Sequence, residues 1–109
     1  MRKILVSLLV LAVTSALTPA FGQAPIAVTL KDHKFTPSQI HVKANTPTVI
    51  LLNNQDATAE EFDSTALKVE KVVAGHDTGT VRLRALAPGK YPFMGEYHSD
   101  TAQGVVVAE

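Results

Sequence analysis

The chain has 109 residues, no cysteine and no tryptophan, and its ten basic side chains balance its ten acidic ones. A copper–thiolate electron-transfer site is therefore excluded, as is any disulfide framework, and a chain without net positive charge lacks the basic footprint that nucleic acid requires. The length supports one domain, and a 46% hydrophobic fraction is that of a globular protein rather than a disordered one.

Arg2 and Lys3 open the chain, followed by an apolar run from Ile4 to Val13 broken only by Ser7, and by small residues at Ala20, Gly22 and Ala24. A basic n-region, an apolar h-region and a small-residue cleavage site are the pattern of a secretory signal peptide. The run is shorter than the roughly 20 residues that span a bilayer, and a single arginine gives no twin-arginine signal. Residues 1–22 are thus expected to be a cleaved signal peptide (the alternative cut follows Ala24), leaving a domain at 23–109 in the periplasm. Losing Arg2 and Lys3 leaves eight basic against ten acidic residues, a slightly acidic protein. A domain of this size buries a core with little surplus stability.

Ile26, Val28 and Leu30 alternate with small or polar residues, the period of a strand. Asp32-His33-Lys34 reads as a polar turn, with His33 exposed. Phe35 and Thr36-Pro37-Ser38 lead to a second alternation at Ile40 and Val42, with His41 facing solvent. Ala44-Asn45-Thr46-Pro47 is a turn in which Asn45 takes the left-handed conformation cheaply. Val49 to Leu52 is a continuous apolar run, as in a strand covered on both faces. Asn53 to Ala59 is a polar loop. Glu60 to Ser64 and Lys68 to Val73 read as short strands, although the composition between Ala59 and Val72 would tolerate a helix. His76-Asp77-Thr78-Gly79 is a turn, and Thr80 to Ala85 alternates Val81 and Leu83 against Arg82 and Arg84. Pro88-Gly89 is a tight turn, Tyr91 and Phe93 share a face, Gly95 to Gln103 is a polar loop, and Gly104 to Val107 closes the chain as a strand. About eight short strands at regular spacing predict an all-β sandwich or barrel.

The segment Pro88-Gly89-Lys90-Tyr91-Pro92-Phe93, a polar loop carrying His98, then Gly104 and a valine-rich strand, resembles the cupredoxin family. Phe35-Thr36-Pro37 with Ile40 and Val42 resembles its N-terminal strands. The resemblance implies a cupredoxin-like Greek-key β-sandwich. It also shows how far the ligand set departs: the family's cysteine falls on Gly95, its methionine near Ala102 or Gln103, its upstream histidine on Glu60 or Glu61, and only His98 remains a ligand type. Glu61-Phe62-Asp63, Glu70-Lys71-Val72-Val73 and Gly95-Glu96-Tyr97-His98 with Thr101-Ala102 and Gly104 are similar to the cupredoxin-like domains that accompany bacterial periplasmic ferrous-iron permeases. That likeness implies binding of iron or copper, support of Fe(II) oxidation with a partner, and delivery to a membrane permease or another periplasmic uptake component.

The donor chemistry agrees with this reading. Carboxylate oxygens are hard ligands, and imidazole suits Cu(II), Fe and Zn. Glu61 or Glu60, Glu96 and His98 are the expected donors at one end of the sandwich, with Asp100 and Glu70 as further candidates. Strict alternation turns Glu60 toward the site, whereas the iron-uptake likeness favours Glu61. Iron and/or copper ions are thus the expected cofactors, with neither nucleic acid nor a small organic molecule as partner. No Gly-x-Ser-x-Gly elbow and no phosphate-cradling glycine loop is present, so metal binding and transfer rather than enzymatic catalysis is the expectation. Two other readings stand beside it: a non-catalytic interaction module with a degenerate metal site, and a copper carrier using His98 and Met94.

Overall fold

The structure, a computed structural model, describes residues 23–109; the expected signal peptide lies outside the described residues. Nine strands follow one another: β1 (Ile26–Lys31), β2 (Lys34–Thr36), β3 (Gln39–Val42), β4 (Thr48–Asn54), β5 (Glu60–Ser64), β6 (Val69–Val73), β7 (Thr78–Leu83), β8 (Gly89–Gly95) and β9 (Gln103–Ala108), with a turn of 3-10 helix at Glu96–His98. They form two sheets, ordered β2-β1-β4-β7 and β3-β9-β8-β5-β6. The β1–β4 and β3–β9 pairs are parallel and the other pairs antiparallel. Period-two alternation sends one side chain in two to the space between the sheets. Val28, Leu30, Ile50, Leu52, Val81 and Leu83 enter it from the first sheet, and Ile40, Val42, Phe62, Phe93 and Val106 from the second.

Phe62 explains why the segment that tolerates a helix forms a hairpin instead. Its ring is fully buried, stacks on Phe93 at 4.6 Å and meets Phe35 edge-on at 6.0 Å. Burying such a ring is worth about 1.5–3 kcal/mol, which outweighs the small helix preference of the neighbouring Glu, Ala and Lys. The bend after β5 is fastened by Ser64, whose Oγ donates to the Pro92 carbonyl at 2.7 Å and accepts from Leu67 N–H at 2.9 Å. Arg84 donates to the Leu67 and Ala66 carbonyls at 2.6 and 3.2 Å.

Three local expectations change. The Val49–Leu52 run is not covered on both faces: Ile50 and Leu52 are buried, but Leu51, on the outer face of β4, is 38% exposed. Thr78 and Gly79 belong to β7 rather than to the preceding turn. Lys34 begins β2, so Asp32 and His33 alone make a two-residue hairpin loop, with Lys31 paired to Lys34. Both loop residues have positive φ, 51° and 54°. Strands β5 and β6 carry Glu60, Glu61 and Glu70, and the 3-10 turn after β8 carries Glu96 and His98, with Asp100 just beyond it.

Candidate metal centre

Glu60 opens β5 on the inward side of the alternation and is 1% exposed. A buried carboxylate must find donors, and this one finds three. Oε1 accepts from the backbone N–H groups of Glu61 at 3.1 Å and Tyr97 at 2.9 Å. Oε2 lies 2.5 Å from Nδ1 of His98. Space for the carboxylate comes from Gly95 in β8, where an added Cβ would stand 2.6 Å from Glu60 Cδ and 2.7 Å from the Ala102 Cβ. Glu60, Gly95 and Ala102 thus fit one another as a set: the carboxylate occupies the volume that a side chain at position 95 would fill.

His98 is held from a second direction. The ring of His33 stacks on it with centroids 3.5 Å apart and planes 13° from parallel. His33 is therefore half-buried rather than an exposed turn residue. Its placement rests on Asp56, whose Oδ1 accepts from Asp32 N–H at 2.7 Å and whose Oδ2 accepts from His33 N–H at 3.0 Å. Asp56 is set in turn by Asn54, which is fully buried. Asn54 accepts from Asp56 N–H at 3.0 Å and donates to the Thr58 carbonyl at 2.9 Å. Partial burial pushes the Asp56 carboxyl up, but the His33 and Asp32 N–H bonds and the nearby imidazoles outweigh it and hold the group below its ordinary range.

The outer face of the same strands carries a different chemistry. Glu61 and Asp63 alternate outward from β5, and Asp63 pairs with Glu70 of β6. One carboxylate oxygen from each of Glu61, Asp63 and Glu70 lies within 4.8 Å of the others. Among the described residues no lysine or arginine makes an ion pair with any of the three. Glu96, at the start of the 3-10 turn, feels them too: the charge of Glu61, then that of Asp63, raises its carboxyl above the ordinary range.

The candidate donors are therefore divided between two surfaces. Glu60 and His98 meet each other; Glu61 and Glu70 meet on the outer face, with Glu96 beside them. Asp100 is exposed in the turn after the 3-10 helix and lines a rim cleft with Glu96, His98 and His33. Met94 is 41% exposed on the outer side of β8, opposite Asp63, while His98 turns toward Glu60, so the two do not converge. Sequence reasoning missed His33, Asp56 and Asp63. Asp63 was legible from strand alternation with Glu61. The signal for His33 was an Asp-His pair where a two-residue hairpin favours Asn-Gly.

The family model for the cupredoxin-like domain matches residues 4–108. An uncharacterized protein of Rickettsia prowazekii (strain Madrid E) is 42% identical over 82 residues, 75% of this chain; the chain spans 66% of that relative, just under two thirds of its length. The metal-binding domain of the Streptococcus pneumoniae D39 Cu(I)-exporting P-type ATPase CopA is similar in fold, with TM-score 0.66 at 11% identity over 78% of this chain and 84% of that one. Auracyanin A, a blue copper protein of Chloroflexus aurantiacus, aligns with TM-score 0.63 at 17% identity, over 79% of this chain and 98% of that one. A thiolate–imidazole copper centre does not fit here. There is no cysteine in the chain, and the Glu60 carboxylate stands where a side chain at Gly95 would go. With a family match over nearly its whole length and a two-sheet sandwich of nine strands, the chain belongs to the cupredoxin-like domain family.

Proposed function

We propose that this chain is an exported, periplasmic metal-binding protein that takes a divalent cation, Fe(II) foremost, on the carboxylate face of β5 and β6, in the service of iron uptake through a membrane permease. The observation that carries this reading is the convergence of Glu61, Asp63 and Glu70 within 4.8 Å with no cationic side chain paired to them among the described residues. Like charges placed directly opposite each other across a strand pair are destabilising, as Asp63 and Glu70 are here. A bound cation offsets that repulsion, and Glu96 adds a fourth oxygen donor nearby. An all-oxygen set suits hard cations and holds Cu(I) poorly.

Negative ligands stabilise the higher charge of iron, so the same set favours Fe(III) over Fe(II) and supports oxidation when a redox partner accepts the electron. A copper carrier built on His98 and Met94 is disfavoured because those side chains face different ways.

The test is an anaerobic Fe(II) titration of the chain from residue 23 onward, with Mn(II) as a redox-inert stand-in followed by electron paramagnetic resonance. The reading expects saturable binding that weakens by about tenfold or more in Glu61→Gln and Asp63→Asn, in line with the loss of a ligand charge. Binding no stronger than that of an unrelated acidic protein would leave the interaction-module reading in its place.

A further inference from the structure

A cleft of about 430 Å³ lies at the opposite end of β1 from the hairpin that carries His33, in the other sheet from the carboxylate face. Its size is that of a small-ligand site. The strand register builds it. Thr48 pairs with Leu83, and Val49 with Arg82. Thr48 and Leu83 are buried, whereas Val49 and Arg82 alternate outward. Pro25 and Pro47 line the same cleft. Their rings lock φ, so part of the wall is set before any ligand arrives, which lowers the ordering cost of binding.

The polar groups left over in this apolar cleft are donors. The Thr48 hydroxyl donates to the Thr46 carbonyl at 3.1 Å. The Gln23 amide oxygen accepts from Lys43 N–H at 2.9 Å, which leaves its NH₂ group to offer. Arg82 is exposed and makes no ion pair among the described residues. It differs in this from Arg84, whose guanidinium is engaged by the Leu67 and Ala66 carbonyls. No acidic side chain lines the cleft.

We propose that this cleft binds a small amphipathic carboxylate, a free acid with a hydrocarbon tail. The tail lies against Pro25, Pro47, Val49 and Leu83, and the carboxylate meets the Arg82 guanidinium, whose planar fork matches it, with the Gln23 amide as a second donor. A peptide suits the cleft less well. It would need backbone partners, but proline has no N–H to give and β4 is a central strand between β1 and β7. A hydrocarbon tail asks for none. A cationic amphiphile finds only donors there.

The site is independent of the metal-binding reading, and its test needs no metal. The chain from residue 23 onward is titrated with octanoate, octan-1-ol and octyltrimethylammonium, and the backbone amides are followed by NMR. Octanoate is expected to shift Val49, Arg82 and Leu83 saturably, and to bind about tenfold or more tightly than the other two, as hydrogen bonds to a charged group require. Arg82→Gln, an exposed substitution, should remove that preference. Lys34→Gln, which takes a cation from the far end of the same sheet, should leave it intact. Octan-1-ol binding as tightly as octanoate, an unchanged octanoate affinity in Arg82→Gln, or shifts confined to residues outside the cleft would each overturn the proposal. Cleft resonances that move with protein concentration alone would overturn it too, because a second copy of the chain would then be the occupant.

Discussion

Glu60 and Glu61 are neighbours in the chain with the same side chain, yet they stand in opposite situations. Glu60 turns between the sheets, where two backbone N–H groups and an imidazole meet its oxygens. Glu61 turns outward, where its nearest charged company is Asp63, Glu70 and Glu96. The strand's period of two makes this difference, and it shows what a carboxylate needs in each place. Inside, a charge is tolerated only when its partners are built in. Outside, water screens a cluster of like charges well enough for it to persist until a cation arrives. The inner carboxylate is thus part of the structure, and the outer ones are available for binding.

Removing the inner carboxylate should have the largest effect. Glu60→Ala leaves two backbone N–H groups and the part-buried His98 ring nitrogen without their partner, and each donor left unsatisfied costs about 1–3 kcal/mol. Urea unfolding of the chain from residue 23 onward measures it. Gly95→Ala comes next. Its Cβ would press on Glu60 Cδ and Ala102 Cβ, and overpacking of this kind costs about 1–3 kcal/mol. The loss should shrink in a Glu60→Ser background, where half of the crowding is gone. Purely additive free energies would show that the two residues do not share one space. Asp56→Ala should cost a similar or smaller amount, about 1–3 kcal/mol, and should release the His33 ring from His98, visible as altered imidazole resonances.

On the outer face the sign reverses. Without metal, Glu61→Gln should stabilise the protein by roughly 0.2–1 kcal/mol, because a like charge is removed from a cross-strand cluster. The pH dependence separates the two regions further. Glu96 has its carboxyl raised by Glu61 and Asp63, so the folded state holds that proton more tightly than the unfolded chain. Its contribution is unfavourable at neutral pH and is relieved as pH falls through the raised value toward the ordinary carboxylate range. Asp56 is held low, so its contribution is present above the ordinary range and is lost as pH falls through the depressed value. Acid titration followed by unfolding should show Glu61→Gln flattening the first effect and leaving the second.

The sandwich was legible in the sequence because alternation and turn residues repeat along the whole chain. Val28, Leu30, Val81, Leu83 and Phe93 enter the core that their spacing assigned them, and Ile26 packs against it half-buried. The donors were legible as residue types, and alternation about an inward Phe62 turned Glu60, not Glu61, toward the site. The family likeness pointed to Glu61 instead, and the burial of Phe62 and Glu60 decides for the alternation. The His33 stack was hidden: it depends on Asp56, more than twenty residues away in the chain, and no local pattern records such a contact. The run at Val49–Leu52 misled because apolar composition alone does not distinguish a doubly covered strand from one with an open outer face.

The most direct test is the Mn(II) and Fe(II) titration of the chain from residue 23 onward, set beside that of Asp63→Asn. Asp63 faces its like charge Glu70 directly across the strand pair and touches neither Glu60 nor His98. The account predicts saturable binding by the unsubstituted protein and about a tenfold or greater loss in the variant. Equal affinity in both proteins would contradict it, because the ion would then be held somewhere other than the carboxylate face.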